Sequence, residues 1–251
     1  MRMLAVVAWL MVAVLPAAVE GAEVKVLSAG AMKAMVTELG EAFQRESGHT
    51  LRLTFDTVGS LRKRAATEPA DVVILTAEAV DDLARDGLVA AGTRTDLGRV
   101  GMGVAVKEGA PRPDISTAES FKQAVLAAKS IVYTDPARGG TSGIHFASVL
   151  QRLGIAEAVK DKTVLWPGGY AAEAVAKGQA ELCVHQISEI LPVKGVTLVG
   201  PLPKDLQKIT TYSGGVAERS DAKDAARALL TFLARPDFRA KFGAAGLDYK
   251  E

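Results

Sequence analysis

Short apolar runs alternate with helical stripes along most of the chain. Val24-Lys25-Val26-Leu27 is strand-like, and Met32, Met35, Val36, Leu39 and Phe43 then recur at the spacing of one helix face, with Gly48 placed to end it. Leu51, Leu53 and Phe55 alternate as in a strand, and Leu61 opens another helix. Asp71-Val72-Val73-Ile74-Leu75 is a continuous apolar run, the pattern of a strand buried on both faces. Ala77 to Leu88 is helical, Gly101 to Lys107 a strand, and Ser116 with Glu119 has the spacing of a capping box before Phe121 to Leu126. A strand at 130–134 leads into a helix striped by Phe146, Val149, Leu150 and Leu153. Thr163 to Trp166, Ala171 to Lys177 and Glu181 to His185 add strand, helix and strand. Strands at Val196 to Val199 and Thr210 to Ala217 precede a helical end, Ala222 to Phe242, broken at Pro236.

This alternation predicts an α/β protein of mostly parallel sheets flanked by helices. The last helix has no strand after it and is expected to return to the first unit. The chain therefore divides into two lobes, 22–103 with 213–251 and 104–212, crossing near 104 and 212 with a ligand cleft between them. Residues 1–21 read differently. Met1-Arg2-Met3 is basic, Leu4 to Leu15 is apolar, and Pro16 to Ala22 offers small residues for cleavage near 21 or 22. That is the pattern of a secretory signal peptide, and the apolar run is short for a span of about 20 residues.

Charge and cysteine narrow the classes. Thirty Lys and Arg against 29 Asp and Glu leave a net charge of +1, too balanced for a nucleic-acid partner. Cys183 is alone, so an exported chain of this composition carries no internal disulfide and suits a Gram-negative periplasm. The three histidines, His49, His145 and His185, are far apart, and Cys183 lacks a partner at ligand spacing, so neither metal nor cofactor is expected.

In open α/β sheets ligands sit beyond the carboxyl ends of the strands. Four strand-to-helix turns share a character there: Ser28-Ala29-Gly30-Ala31, Val58-Gly59-Ser60, Gly139 to Gly143 and Gly168-Gly169-Tyr170. Each is small or hydroxyl-bearing. Helix N-termini present free N–H groups and partial positive charge, so several aimed at one cleft make an anion site without net charge. Gly139 to Gly143 lacks the Lys-Ser/Thr ending of a P-loop.

At these turns the chain resembles the periplasmic molybdate-binding proteins. The likeness runs from Val26-Leu27-Ser28-Ala29-Gly30-Ala31-Met32 through Phe55 to Leu61, Ala70 to Ile74, Thr134-Asp135-Pro136 and Gly143-Ile144-His145, to Leu150 to Gly154 and Arg239 to Gly243. It implies a type II periplasmic binding fold, two lobes closing on a small anion. The positions where the family holds its oxyanion with hydroxyls fall on Ala31, Val58 and Gln186. Each lost donor forfeits about 1–3 kcal/mol. Lys33, Arg62, Arg64 and Arg138 stand in or after the turns instead, with Thr141, Ser142, Tyr170 and Gln186 as neutral donors. Arg grips carboxylates through paired hydrogen bonds, which points to an organic anion. The expected ligand set is Ala31, Met32, Lys33, Gly59, Ser60, Arg62, Arg138, Thr141, Ser142, Gly143, Gly169, Tyr170 and Gln186.

The resemblance extends to the bacterial aconitate isomerases, exported members of the same superfamily. Their allylic proton shift needs carboxylate clamps and one general base. His145, just inside a helix, and the run from His185, in a strand, to Glu189, which would need burial to raise its pKa, hold the candidates. Three readings follow: a monomeric solute receptor for an aconitate-like carboxylate, partnered by the membrane component of an ABC importer; an isomerase; and, third, a molybdate or tungstate receptor.

Overall fold

A computed structural model of the protein describes residues 21–248. The expected export segment lies, Gly21 apart, outside the described residues. Strands β1 (Glu23–Ala29), β2 (Thr50–Asp56), β3 (Val72–Thr76) and β4 (Thr95–Val100) build a first sheet, and β5 (Met102–Lys107), β6 (Ile131–Thr134), β7 (Thr163–Trp166), β8 (Leu182–Gln186) and β9 (Val196–Pro201) a second. β10 (Thr210–Val216) returns to the first. The orders are β2-β1-β3-β10-β4 and β7-β6-β8-β5-β9. The sheets change at Gly101 and again between Pro201 and Thr210, where 104 and 212 were expected.

Helices α1 (Lys33–Ser47), α2 (Val58–Thr67) and α3 (Ala77–Arg85) accompany the first sheet. The second sheet is covered by α4 (Ala118–Ala127), α5 (Thr141–Arg152), α6 (Ala156–Val159), α7 (Ala172–Ala176) and α8 (Ile187–Ile190). α9 (Lys223–Leu233) and α10 (Arg239–Ala244), separated at Pro236, pack back on the first lobe. Leu229, Leu230 and Phe242 join Val24, Met35, Leu39 and Ile74 in its core. α1 ends at Gly48, whose φ of 75° is the left-handed cap that glycine adopts without strain.

Two expectations are corrected. The sheets are mixed. β2-β1-β3 and β7-β6-β8 are parallel, but β10 runs antiparallel to both neighbours, as does β5. These two strands arrive from the opposite lobe and so enter against the local chain direction. The capping box lies one residue later than expected. Thr117 caps α4, the Ser120 N–H donates to its hydroxyl at 3.0 Å, and the Thr117 N–H donates to the Ser120 hydroxyl at 3.0 Å. Ser116 is instead held by Asp114, whose carboxyl accepts its N–H at 2.9 Å.

Candidate functional site

The carboxyl ends of parallel strands in both sheets face one narrow cleft. The first lobe brings Gly30 and Ala31 after β1, Asp56 at the end of β2 with Thr57 and Val58 after it, and Tyr212 from β10. The second brings Thr134 from β6, Gly140 to Ser142 at the start of α5, Gly169, and the run His185, Gln186 and Glu189. All four turns singled out in the sequence thus reach a single cavity. The lobes also touch across its rim. The Thr57 hydroxyl donates to the Arg138 carbonyl at 2.6 Å, and the Gly59 N–H donates to the Gly139 carbonyl at 3.1 Å. A Cβ on Gly59 would stand 2.7 Å from the Gly139 Cα, so this approach depends on two bare residues.

The glycines of 139–143 have more than one use. A Cβ on Gly143 would meet the Thr134 carbonyl oxygen at 1.8 Å, and one on Gly140 would meet the Thr134 methyl at 2.4 Å. Both therefore let α5 lie close on β6. The helix still begins without a side-chain cap, at Gly140, and opens its first turn into the cleft.

His185 and Glu189 form the cleft's titratable centre. Both are buried, with Nδ1 and Oε2 3.2 Å apart. His185 Nε2 lies 3.2 Å from the Gly169 carbonyl, which only accepts, so Nε2 carries the hydrogen. Nδ1 is then the accepting nitrogen. It takes the Gln186 N–H at 2.8 Å and faces the Ser142 hydroxyl at 3.3 Å. Burial pushes the imidazole down to about 4 and the Glu189 carboxyl up to about 8. At neutral pH the pair is an uncharged imidazole facing a protonated carboxyl, not an ion pair. Because Ser142 and Glu189 meet the same nitrogen, the three do not form a Ser-His-Glu relay, in which serine and carboxylate face opposite nitrogens.

The expected residues divide. Ala31, Thr141, Ser142, Gly169, Gln186 and Glu189 line the cleft. Gly59 is part of the rim contact. Lys33 is exposed and does not line the cleft; its ammonium stands 5.8 Å from the Phe55 ring centroid and 5.2 Å from that of Tyr170, its partner from the opposite lobe. Ser60 donates to Asp56 at 2.6 Å. Arg138 is exposed, and its guanidinium stands 4.0 Å from Asp56. The structure turns four others elsewhere. The Met32 side chain is in the core, Gly143 is packed on Thr134, and Arg62 pairs with Asp82 at 3.0 Å on the outer face of α2. His145 Nε2 bonds the Leu206 carbonyl at 2.8 Å, and burial lowers its pKa. It does not line the cleft. Asp56, Thr57, Thr134 and Tyr212 were missing from the expected set, and His185, weighed as a base, was left out of it. Asp56 and Thr57 were signalled by the polar end of β2, and Tyr212 by nothing local.

The chain belongs to the bacterial extracellular solute-binding proteins, whose family model matches residues 24–248. It is 36% identical over 219 residues to an aconitate isomerase of a Pseudomonas species, a match covering 84% of this chain and 82% of the relative. Among solved structures it is similar to the periplasmic molybdate-binding protein of Azotobacter vinelandii, with a TM-score of 0.76 at 18% identity over 91% of this chain and 100% of that one. The sulfate-binding protein SubI of Mycobacterium tuberculosis follows the same fold, with a TM-score of 0.68 at 16% identity over 90% of this chain and 86% of that one. Among the described residues no helix is long and apolar enough to cross a membrane.

Proposed function

We propose that the protein isomerises an unsaturated tricarboxylic acid of the aconitate type, with Glu189 as the group that moves the proton. One observation carries this reading: a carboxyl buried in the cleft, with a pKa raised to about 8, facing a neutral His185. General bases work best when their pKa lies near the operating pH. The 36% identity to an aconitate isomerase agrees with it. In the reaction a C–H bond next to the double bond breaks, its electrons form the new double bond, and the old one accepts the proton at its far carbon. No atom is gained or lost. The uncapped start of α5 faces the carboxylates, where negative charge spreads as the proton leaves. His185, fixed through both nitrogens, holds the Glu189 carboxyl in place.

Proton NMR of cis- or trans-aconitate with catalytic protein tests this. The expected result is interconversion of the two isomers to a constant ratio, with deuterium entering the carbon skeleton in heavy water. Tight binding with an unchanged ligand would overturn it. That outcome would favour the second reading, a carboxylate receptor serving an importer's membrane component, which draws on the family and on the clasped rim. Molybdate capture is the weakest reading, since Ala31 and Val58 bring no hydroxyl to the cleft. A melting temperature raised by molybdate and unmoved by tricarboxylates would restore it. In all cases the site of action is the periplasm and the acting form a monomer.

A further inference from the structure

Gln186 ends β8 and lines the cleft, and it is 1% exposed. Neither its Nε2 nor its Oε1 has a hydrogen-bond partner among the described residues. The Tyr212 hydroxyl of the other lobe is a polar group that the Gln186 carboxamide influences without meeting hydrogen-bond geometry. A buried carboxamide left in this state is costly, because each edge forfeits its solvation. The two edges make different demands: the N–H edge wants an acceptor and the oxygen wants a donor. A carboxylate or a fully ionised oxyanion offers acceptors only. It would satisfy Nε2 and press a negative oxygen against Oε1. A carboxylic acid offers both, its C=O to the amide N–H and its O–H to the amide oxygen.

We propose that Gln186 seats one carboxyl group of the ligand in its protonated form, as a paired amide–acid contact. This rests on the isomerase reading and deepens it. The proton has a source three residues away, since burial raises the pKa of the Glu189 carboxyl, which stands 3.2 Å from His185 in the same cleft. On binding, the O–H bond of Glu189 breaks and an O–H bond forms on the ligand carboxylate, so one proton moves and total charge is unchanged. The transfer makes two things at once. Glu189 becomes a carboxylate base, and the ligand's carboxyl becomes a neutral electron sink that stabilises the adjacent carbanion better than a carboxylate would. The groups facing this exchange are His185 on β8, Asp56 at the end of β2, Tyr212 on β10 and Tyr170 before α7. Cys183 on β8 also feels the Glu189 charge, and Glu78 on α3 acts on Tyr212. His185 is neutral down to about pH 4 and both tyrosines stay protonated well above neutrality, so Glu189 is the proton donor of the set.

The probe is propane-1,2,3-tricarboxylate labelled with ¹³C in its carboxyls, a saturated analogue that binds without turnover. Bound to the wild-type protein at pH 7, it should show one carboxyl carbon at the neutral-acid position and two as carboxylates. Bound to Gln186→Met, it should show three carboxylates, while the variant melts no lower than the wild type because an unpartnered amide has been removed. Aconitate kinetics give a second readout. Wild-type kcat/KM should fall about tenfold per pH unit above about 8 as resting Glu189 loses its proton, and in Gln186→Met it should rise across the same range. Three carboxylates in the wild type, or an acid signal that survives in Gln186→Met, would overturn the inference and leave the isomerase reading standing. An acid signal with no aconitate turnover would do the reverse.

Discussion

On the first lobe's wall of the cleft, the one carboxyl is already engaged. Asp56 accepts the Thr57 N–H at 2.7 Å and the Ser60 hydroxyl at 2.6 Å, and it stands beside Arg138. On the second lobe's wall, Glu189 has a neutral imidazole for a partner and no cation, and burial holds its proton on. Both walls are strand ends followed by helices, and both present a carboxyl to the same cavity. The difference lies in solvation and partners. A carboxyl supplied with donors is a structural acceptor that shapes the turn. A carboxyl denied them is a proton reservoir. Under the proposed isomerase reading the first wall would bind and the second would react.

Glu189→Gln gives the largest expected effect. Turnover should drop about 10²–10⁴-fold while ligand affinity changes far less, read by NMR kinetics and calorimetry on the same preparation. The same variant sharpens the argument thermally. The raised pKa of Glu189 means that the folded protein keeps a proton the unfolded chain releases, so the contribution of Glu189 to stability declines as pH rises from about 4.5 to about 8. Glu189→Gln should therefore melt at least about 3 °C above the wild type at pH 8, with the gap closing by pH 4.5 in a melting series. An intermediate effect is expected at the rim. Gly59→Ala drives a Cβ into the Gly139 backbone and should weaken ligand binding about tenfold, with kcat less affected. Asp56→Asn keeps an acceptor for the turn and should alter kcat/KM by only about threefold, a small loss of uniform binding. A loss matching that of Glu189→Gln would erase the distinction between the walls. His145→Ala should leave turnover within about twofold, while losing the bond to Leu206 costs about 1 kcal/mol in a denaturant titration.

Much of the framework was legible because its signals are local. The apolar run Asp71 to Leu75 covers all of β3 but Thr76, every residue of the strand is buried, and the four small turns announced which strand ends face the cleft. Side-chain direction was less legible. Arg62 is two residues past Ser60, a rotation of about 200° around a helix, which carries it from the cleft side to Asp82. His145 lies a full helical turn beyond Thr141 and meets a carbonyl brought by the loop before β10. Strand alternation puts His185 and Gln186 on opposite faces, but β8 ends at Gln186 and the turn into α8 lets both reach the cavity. The glycines of 139–143 were read as an anion loop. Only the approach of Thr134 and Gly59 shows that they are also spacers. Tyr212 comes from a strand that returns from the opposite sheet, a placement no periodicity encodes.

The most direct test is to titrate Glu189 in the resting protein, following its side-chain carboxyl carbon by NMR with Glu189→Gln to assign the signal. A midpoint near 8 is the predicted result. A midpoint in the ordinary carboxylate range, about 4.3, would mean that the second wall holds a plain anion and that the chemistry assigned to it is wrong.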